Sequence, residues 1–280
     1  MVKSKNDIAF EILVLVIITL VGLACLIPIL FVISYSLTPM EEMLRNGGFS
    51  LIPRNITFSA YKQMLNDPTL MNAMKVSAFI TIVGTAANLV VTLMLAYPLS
   101  RSYLPGRKVF VQLIVFTMIF SAGTIPTYLI VKATGILNTL WALILPSLVA
   151  VYNFIVMKAF FEGLPNDLFE SARIDGAGHM SQIWHITLPG IRSTILIMLI
   201  LEIGRIMTTG ASFDQVFNLY SSPVYEVADT IDTYIYRTSF GGTKNFGYTT
   251  AVGLSKSIIG VLMMLGANRL VTACGEDGLF

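Results

Sequence analysis

The chain has 280 residues, of which 55% are apolar and only 12% charged, where an average globular domain carries about 25% charged residues. That composition excludes a soluble domain and describes a chain that resides in a lipid bilayer. The 18 basic and 16 acidic residues leave a net charge of +2, scattered along the sequence, so no electrostatic footprint for DNA or RNA is present.

Met1-Val2-Lys3-Ser4-Lys5-Asn6-Asp7 has the look of a signal-peptide start, but the apolar run behind it extends from about Ile8 to Leu37 without a small-residue cleavage site. It reads as a retained first span. A hydrocarbon core of about 30 Å takes about 20 helical residues. Six stretches qualify, at roughly 10 to 36, 73 to 99, 108 to 132, 138 to 161, 191 to 212 and 249 to 272. The expectation is an all-α membrane protein, a single transmembrane domain over residues 1 to 280, with both termini on one side. Basic residues concentrate in the short loop 100 to 107, and Lys3, Lys5 and Arg173 fall on the same side. The positive-inside rule then puts both termini and the loop 162 to 190 in the cytoplasm.

Pro28, Pro98, Pro126 and Pro146 interrupt or end apolar runs, and Ser121-Ala122-Gly123-Thr124-Ile125-Pro126 reads as a helix break lining a cavity. Two long segments are too polar to span: 38 to 72, with Gly47-Gly48, and 213 to 248, with Ser221-Ser222-Pro223. Tyr220, Tyr225, Tyr234 and Arg237 there are candidate contacts for an external partner, with a packed structural cap over the helices as the alternative. Cys25 and Cys274 are far apart, and His179 and His185 are six apart where helix-face ligands sit three or four apart. Neither a disulfide nor a metal site is expected.

The polar loop carries the densest local signals. Pro165-Asn166-Asp167 is a helix start, and Asp167 with Glu170 has the form of a capping box. The helix is expected to reach about Ile174 and to reverse at Asp175-Gly176, with a second short helix from His179 to Ile186. Leu168, Phe169 and Ala172 share one side at helical spacing, with Glu170, Arg173 and Asp175 around the rest. An exposed face of this kind is either a docking knob for another protein or a connector resting on lipid headgroups.

In the fifth stretch Glu202 and Arg205 lie three apart, where an unpaired charge costs several kcal/mol. They are expected to pair, either lining a substrate pathway or packing against a partner subunit, with Asn88, Tyr152 and Asn153 as further polar candidates. No nucleophile-plus-base pair and no H-E-x-x-H accompanies them, which argues against an intramembrane enzyme. No internal symmetry supports a stand-alone secondary transporter. No G-x-x-x-x-G-K-[ST] occurs, so any ATP hydrolysis belongs to another chain.

Glu170-Ser171-Ala172, Gly176 and Ile186-Thr187-Leu188-Pro189 resemble the EAA loop of binding-protein-dependent ABC importer permeases, with Ser171 in place of the middle alanine. Leu99-Ser100-Arg101 with Pro105-Gly106-Arg107, Ile125 to Tyr128 and Asn138 through Pro146 resemble the second permease subunit of maltose-type carbohydrate importers. Ala228 to Arg237 and Gly275 to Phe280 resemble a subgroup associated with oligosaccharide or polysaccharide fragments. The resemblance implies a type I ABC importer permease fold with a cytoplasmic coupling-helix loop, in the bacterial cytoplasmic membrane. It implies as partners a homologous second permease, two cytoplasmic ATPase subunits and an extracytoplasmic solute-binding protein. ATP and Mg would sit on the ATPases, with no cofactor on this chain. Leu168, Phe169, Glu170, Ser171, Ala172, Asp175 and Gly176 would couple to the ATPase, while Ile186, Leu188 and Pro189 fix the loop. An amino-acid or peptide importer shares the loop motif and is the principal alternative.

Overall fold

The computed structural model describes residues 5–45, 52–120, 122–209, 213–219, 228–241, 245–273 and 275. Gly47-Gly48, Ser121, Tyr220, Ser221-Ser222-Pro223, Tyr225, Cys274 and residues 276–280, all singled out above, lie outside the described residues, as does the 210–212 end of the fifth stretch. Every regular element among the described residues is helical. The chain divides into two compact units, residues 1–70 with 234–255 and residues 71–233 with 256–280.

The first unit begins with α1 (Lys5–Leu37), whose apolar side chains stay uncovered along its length, Phe10, Ile18 and Leu26 among them. Pro28 lies inside α1. The helix becomes polar and buried only at its end, where the Ser36 hydroxyl meets the Tyr61 phenol at 2.8 Å and Thr57 N–H donates to the Leu37 carbonyl at 2.9 Å. The segment after it is not structureless. It holds α2 (Met40–Arg45) and α3 (Ser59–Asn66), and Glu42 accepts the N–H groups of Arg54 and Asn55 at 2.9 and 3.2 Å. Asp67 follows and caps α4 (Pro68–Ser100) by accepting Thr69 and Leu70 N–H at 2.9 and 3.3 Å. Its other oxygen takes the phenols of Tyr234, from α14 (Ile231–Phe240), and Tyr248, from α15 (Phe246–Ala273). One carboxylate therefore ends a turn, starts a helix and anchors two later segments.

The second unit packs around Ala96 and Leu99 of α4, Phe154, Met157 and Phe161 of α8 (Val151–Glu162), and Ile191 with Met198 of α12 (Arg192–Thr209). The expected stretch 108 to 132 is divided in two. Gly123 at φ +81° separates α5 (Arg107–Ile119) from α6 (Thr124–Ala133). At 1.5 Å per residue, neither piece alone reaches the roughly 30 Å of a hydrocarbon core. The expected break at Gly123 is therefore present. Stretch 138 to 161 is bent as well: α7 (Trp141–Ile144) runs into a 3₁₀ turn at Leu145–Ser147 and meets α8 at 51°. Pro146 brings no N–H to that turn, and the Leu148 carbonyl freed at the bend accepts the Asn88 amide at 2.8 Å. Three unbroken helices are long and apolar enough to cross a membrane, Phe10–Leu37, Pro68–Ser100 and Phe246–Ala273, and two bent pairs bring the number to as many as five. The sixth expected span is the divided α5–α6 stretch. Between α12 and α14, residues 213 to 219 form α13 (Phe213–Leu219), so this segment too is partly helical.

Burial alone would raise the pKa of Asp67, but the hydrogen bonds from Tyr234, Leu70, Tyr248 and Thr69 outweigh it and hold the carboxyl below 3.8. A depressed folded-state pKa contributes stability that is present above the unfolded value and lost as pH falls through the folded one. Asp67→Asn is expected to lose about 1.5–3 kcal/mol, the usual worth of hydrogen bonds to a charged group. Thermal unfolding in detergent should show the wild-type margin at neutral pH and its decline only below pH 3.8. No margin at neutral pH, or one that grows as the pH falls through the acid range, contradicts the assignment.

Candidate functional site

The loop after α8 is a set of short, tightly terminated helical pieces. Its first helix, α9 (Asn166–Ile174), starts two residues earlier than a capping box requires: Pro165 takes the cap position, at φ −58° and ψ 131°, and no side chain caps the helix. The Asp167/Glu170 box is thus not formed, because proline itself stops the upstream chain and sets the extended entry. Asp167 lies in the first turn instead, where a negative charge suits the helix dipole.

The far end of α9 is fixed more firmly. Gly176 sits at φ +80°, its N–H donates to the Arg173 carbonyl at 3.0 Å, and the Ala177 N–H donates to the Ala172 carbonyl at 2.8 Å. Those two bonds and the left-handed glycine form a Schellman ending. Space around Gly176 is open, so a side chain would fit but would be strained by the backbone angle. The next piece, α10 (His179–Gln182), gives way to a π-helical turn over Ile183–Thr187 and then to α11 (Leu188–Gly190), which correctly carries the chain past the expected end at Ile186. Buried Gln182 donates to the Ala177 carbonyl at 2.9 Å, and the Thr187 hydroxyl to the Gln182 carbonyl at 3.3 Å. Ile186 and Leu188 are half-buried and Pro189 is exposed. Gly190 approaches Leu164 so closely that a Cβ there would lie 2.9 Å from Leu164 Cδ2. The chain then turns by 66° into α12.

The face expected to be free divides in two. Leu168 is half exposed, and Glu170, Ser171, Asp175 and Gly176 lie at the surface, with Ala172 half-buried. Phe169, by contrast, is buried at 7% exposure. Arg101, in the turn after α4, lays its guanidinium over the Phe169 ring, 3.9 Å from its centre, and 5.0 Å from that of Tyr97. Arg101 Nη2 is buried without a hydrogen-bond partner, so the ring faces are what compensate its desolvation. The same turn is tied down at its other end by Arg107, which donates to the Leu99 carbonyl at 2.8 Å and to Glu162, a carboxylate that also takes Lys158 Nζ at 2.7 Å. An open cleft of about 720 Å³ lies between this turn and α9, with Arg101, Arg107, Arg173 and His179 on its walls. In the sequence Arg101 and Arg107 carry the charge bias of the loop 100 to 107 and part of the family resemblance; the spacing of a turn 68 residues before Phe169 gives no sign that it clamps α9.

Of the five polar candidates within the apolar stretches, three meet. Glu202, with a side chain only 5% exposed, accepts Arg205 Nε at 2.9 Å and an Asn153 amide N–H. Asn88 serves the bend at Leu148 instead, and Tyr152 is exposed at 65%. Among the described residues no three His, Cys, Asp or Glu side chains gather as a metal-binding group.

A family profile described as the binding-protein-dependent transport system inner membrane component matches residues 109–273. Protein LplC of Bacillus subtilis is 43% identical over 60% of this chain and 57% of its own length. The polygalacturonan/rhamnogalacturonan transport system permease protein YtcP of the same organism is 38% identical over 66% of this chain and 64% of its own. The chain thus aligns with about three fifths of the length of these curated relatives. A crystal structure of a bacterial ABC transporter involved in the import of the acidic polysaccharide alginate superposes with a TM-score of 0.79 at 24% identity, over 98% of this chain and 99% of that one.

The packing of α9 gives a direct test. Phe169→Ala removes a buried ring and uncovers Arg101, and should destabilise by about 3–5 kcal/mol. Leu168→Ala, one residue away on the exposed side, should cost well under about 1 kcal/mol. Equal melting temperatures of the two purified variants would show that the Arg101 clamp does not hold α9.

Proposed function

The chain belongs to the family of binding-protein-dependent transport system inner membrane components, and from that premise we propose that it is one permease subunit of an ATP-driven carbohydrate importer. The substrate class is an oligosaccharide or polysaccharide fragment, delivered by an extracytoplasmic binding protein and released into the cytoplasm. The polysaccharide named for YtcP supports a carbohydrate over an amino acid or a peptide. A transport component of this family is not an enzyme in itself, and the chain has no phosphate-binding loop of its own. ATP and Mg therefore belong to two ATPase subunits, and a homologous permease completes a heterodimer. Both termini and the α9 loop face the cytoplasm in this reading, with six crossings once the bent and divided stretches are each counted as one.

One observation carries the coupling role: α9 is a nine-residue rod with a Schellman end, held from below by Arg101 and open above at Leu168, Glu170 and Ser171. A rigid projection fixed at its base transmits a push. When ATP closes the ATPase pair, α9 moves with it, and the hydrophobic core shared by α4, α8 and α12 carries that motion into the apolar helices. Asp175 and Gly176 hold the end of the rod, and Ile186, Leu188 and Pro189 hold the return into α12.

The Asn153–Glu202–Arg205 group is assigned to the substrate pathway. Glu202 is satisfied by its two neighbours and orients Arg205, whose side chain remains 46% exposed in an otherwise apolar helix. An oriented guanidinium suits sugar hydroxyls or the carboxylate of an acidic sugar.

Two measurements on the assembled complex test this reading. Ala172→Glu and Gly176→Trp should weaken ATPase association or leave hydrolysis running with uptake reduced at least about tenfold, a change of 1.4 kcal/mol in coupling. Wild-type assembly and uptake in both variants would refute the coupling role. Arg205→Met should cut import sharply with the heterodimer intact; loss of the heterodimer itself would move the group to the subunit interface.

A further inference from the structure

The amino-terminal end of α5 lies against the last turns of α8, and between them is a groove of about 320 Å³ lined by Arg107, Lys108, Val111, Gln112 and Lys158. Three cations thus border one small space. The carboxylate in contact with them is Glu162, held by Arg107 and Lys158 at the groove's edge. Three positive charges against one negative leave an excess of two. Lys108 is exposed and has no ion-pair partner among the described residues. Like charges at this separation repel, and an anion seated among them removes the repulsion.

The surface next to the groove narrows the choice of anion. Helix α5 buries none of its side chains, and Val109, Phe110, Leu113 and Phe116 are all more than half exposed. An occupant that satisfies both features has a negative head and a long apolar body. We propose that the groove binds the phosphodiester headgroup of an anionic phospholipid, whose acyl chains lie along α5. Basic pockets between apolar helices at the membrane surface bind such headgroups by charge and hydrogen bonding, with Gln112 available as a neutral donor beside the cations. The inference rests on the chain being a membrane component and is independent of which solute the complex carries.

The test uses the purified, assembled transporter, exchanged into detergent with equal amounts of phosphatidylglycerol and phosphatidylcholine and examined by native mass spectrometry. Phosphatidylglycerol should be retained in preference. Lys108→Gln should lower that retention roughly fivefold without altering assembly, since Lys108 makes no ion pair to lose, whereas Lys108→Arg should keep it. Millimolar glycerol phosphate should not displace the lipid. Equal retention of the two lipids by the wild type, or equal behaviour of the Gln and Arg variants, overturns the proposal; displacement by glycerol phosphate would make this a site for a free phosphate ester. The readout does not involve transport, so loss of carbohydrate import in a separate assay leaves the result standing.

Discussion

The guanidinium of Arg101, stacked 3.9 Å from the centre of the Phe169 ring, is the contact on which the geometry of the polar loop depends. A nine-residue helix has little stability of its own in water. What keeps α9 helical and fixed in direction is therefore its surroundings: proline at one end, a Schellman turn at the other, and Phe169 anchored beneath a cation. The clamp is itself anchored. Arg107 ties the same turn to Leu99 and Glu162, so the position of α9 follows α4 and α8, the helices that build the unit's main core.

This arrangement has a mechanical consequence. A loop that is loosely attached absorbs a push, whereas one that is keyed to two long helices passes it on. The features at the opposite end of α8 and at the start of α12 are of a different kind, bends set in packed surroundings: the 51° break before α8, with buried Leu143 and Ile144 and Asn88 serving the Leu148 carbonyl, and the 66° turn into α12 at buried Ile191. The proposed coupling role requires a firmly attached α9, and the clamp made by Arg101 and Arg107 supplies that attachment.

Much of this was legible in the sequence, and the exceptions have physical causes. The end of α9 could be read because Asp175-Gly176 is a local signal, and a glycine at positive φ needs no distant partner. Its start lies two residues before the one the capping box predicts because Pro165 and the Asp167/Glu170 pair compete for the same end, and proline prevails when it fixes the entering chain. The periodicity of Phe169 matches that of Leu168 and Ala172 and so predicts a shared exposed face; its cover, Arg101, comes from a turn 68 residues earlier, and no local pattern encodes that distance. The pairing of Glu202 with Arg205 followed from the cost of an isolated charge in an apolar helix. That Asn153 joins them while Asn88 and Tyr152 do not depends on where the bend before α8 directs each side chain.

The central claim is that α9 meets an ATPase and not the lipid surface. Its most direct test places a photo-crosslinking amino acid at Leu168 in the assembled transporter within native membranes. The account predicts a covalent adduct with the ATPase subunit, produced in high yield because Leu168 is half exposed at the open side of a rigid helix. Adducts with phospholipid alone, and none with the ATPase, would contradict it and make the loop a membrane-surface connector.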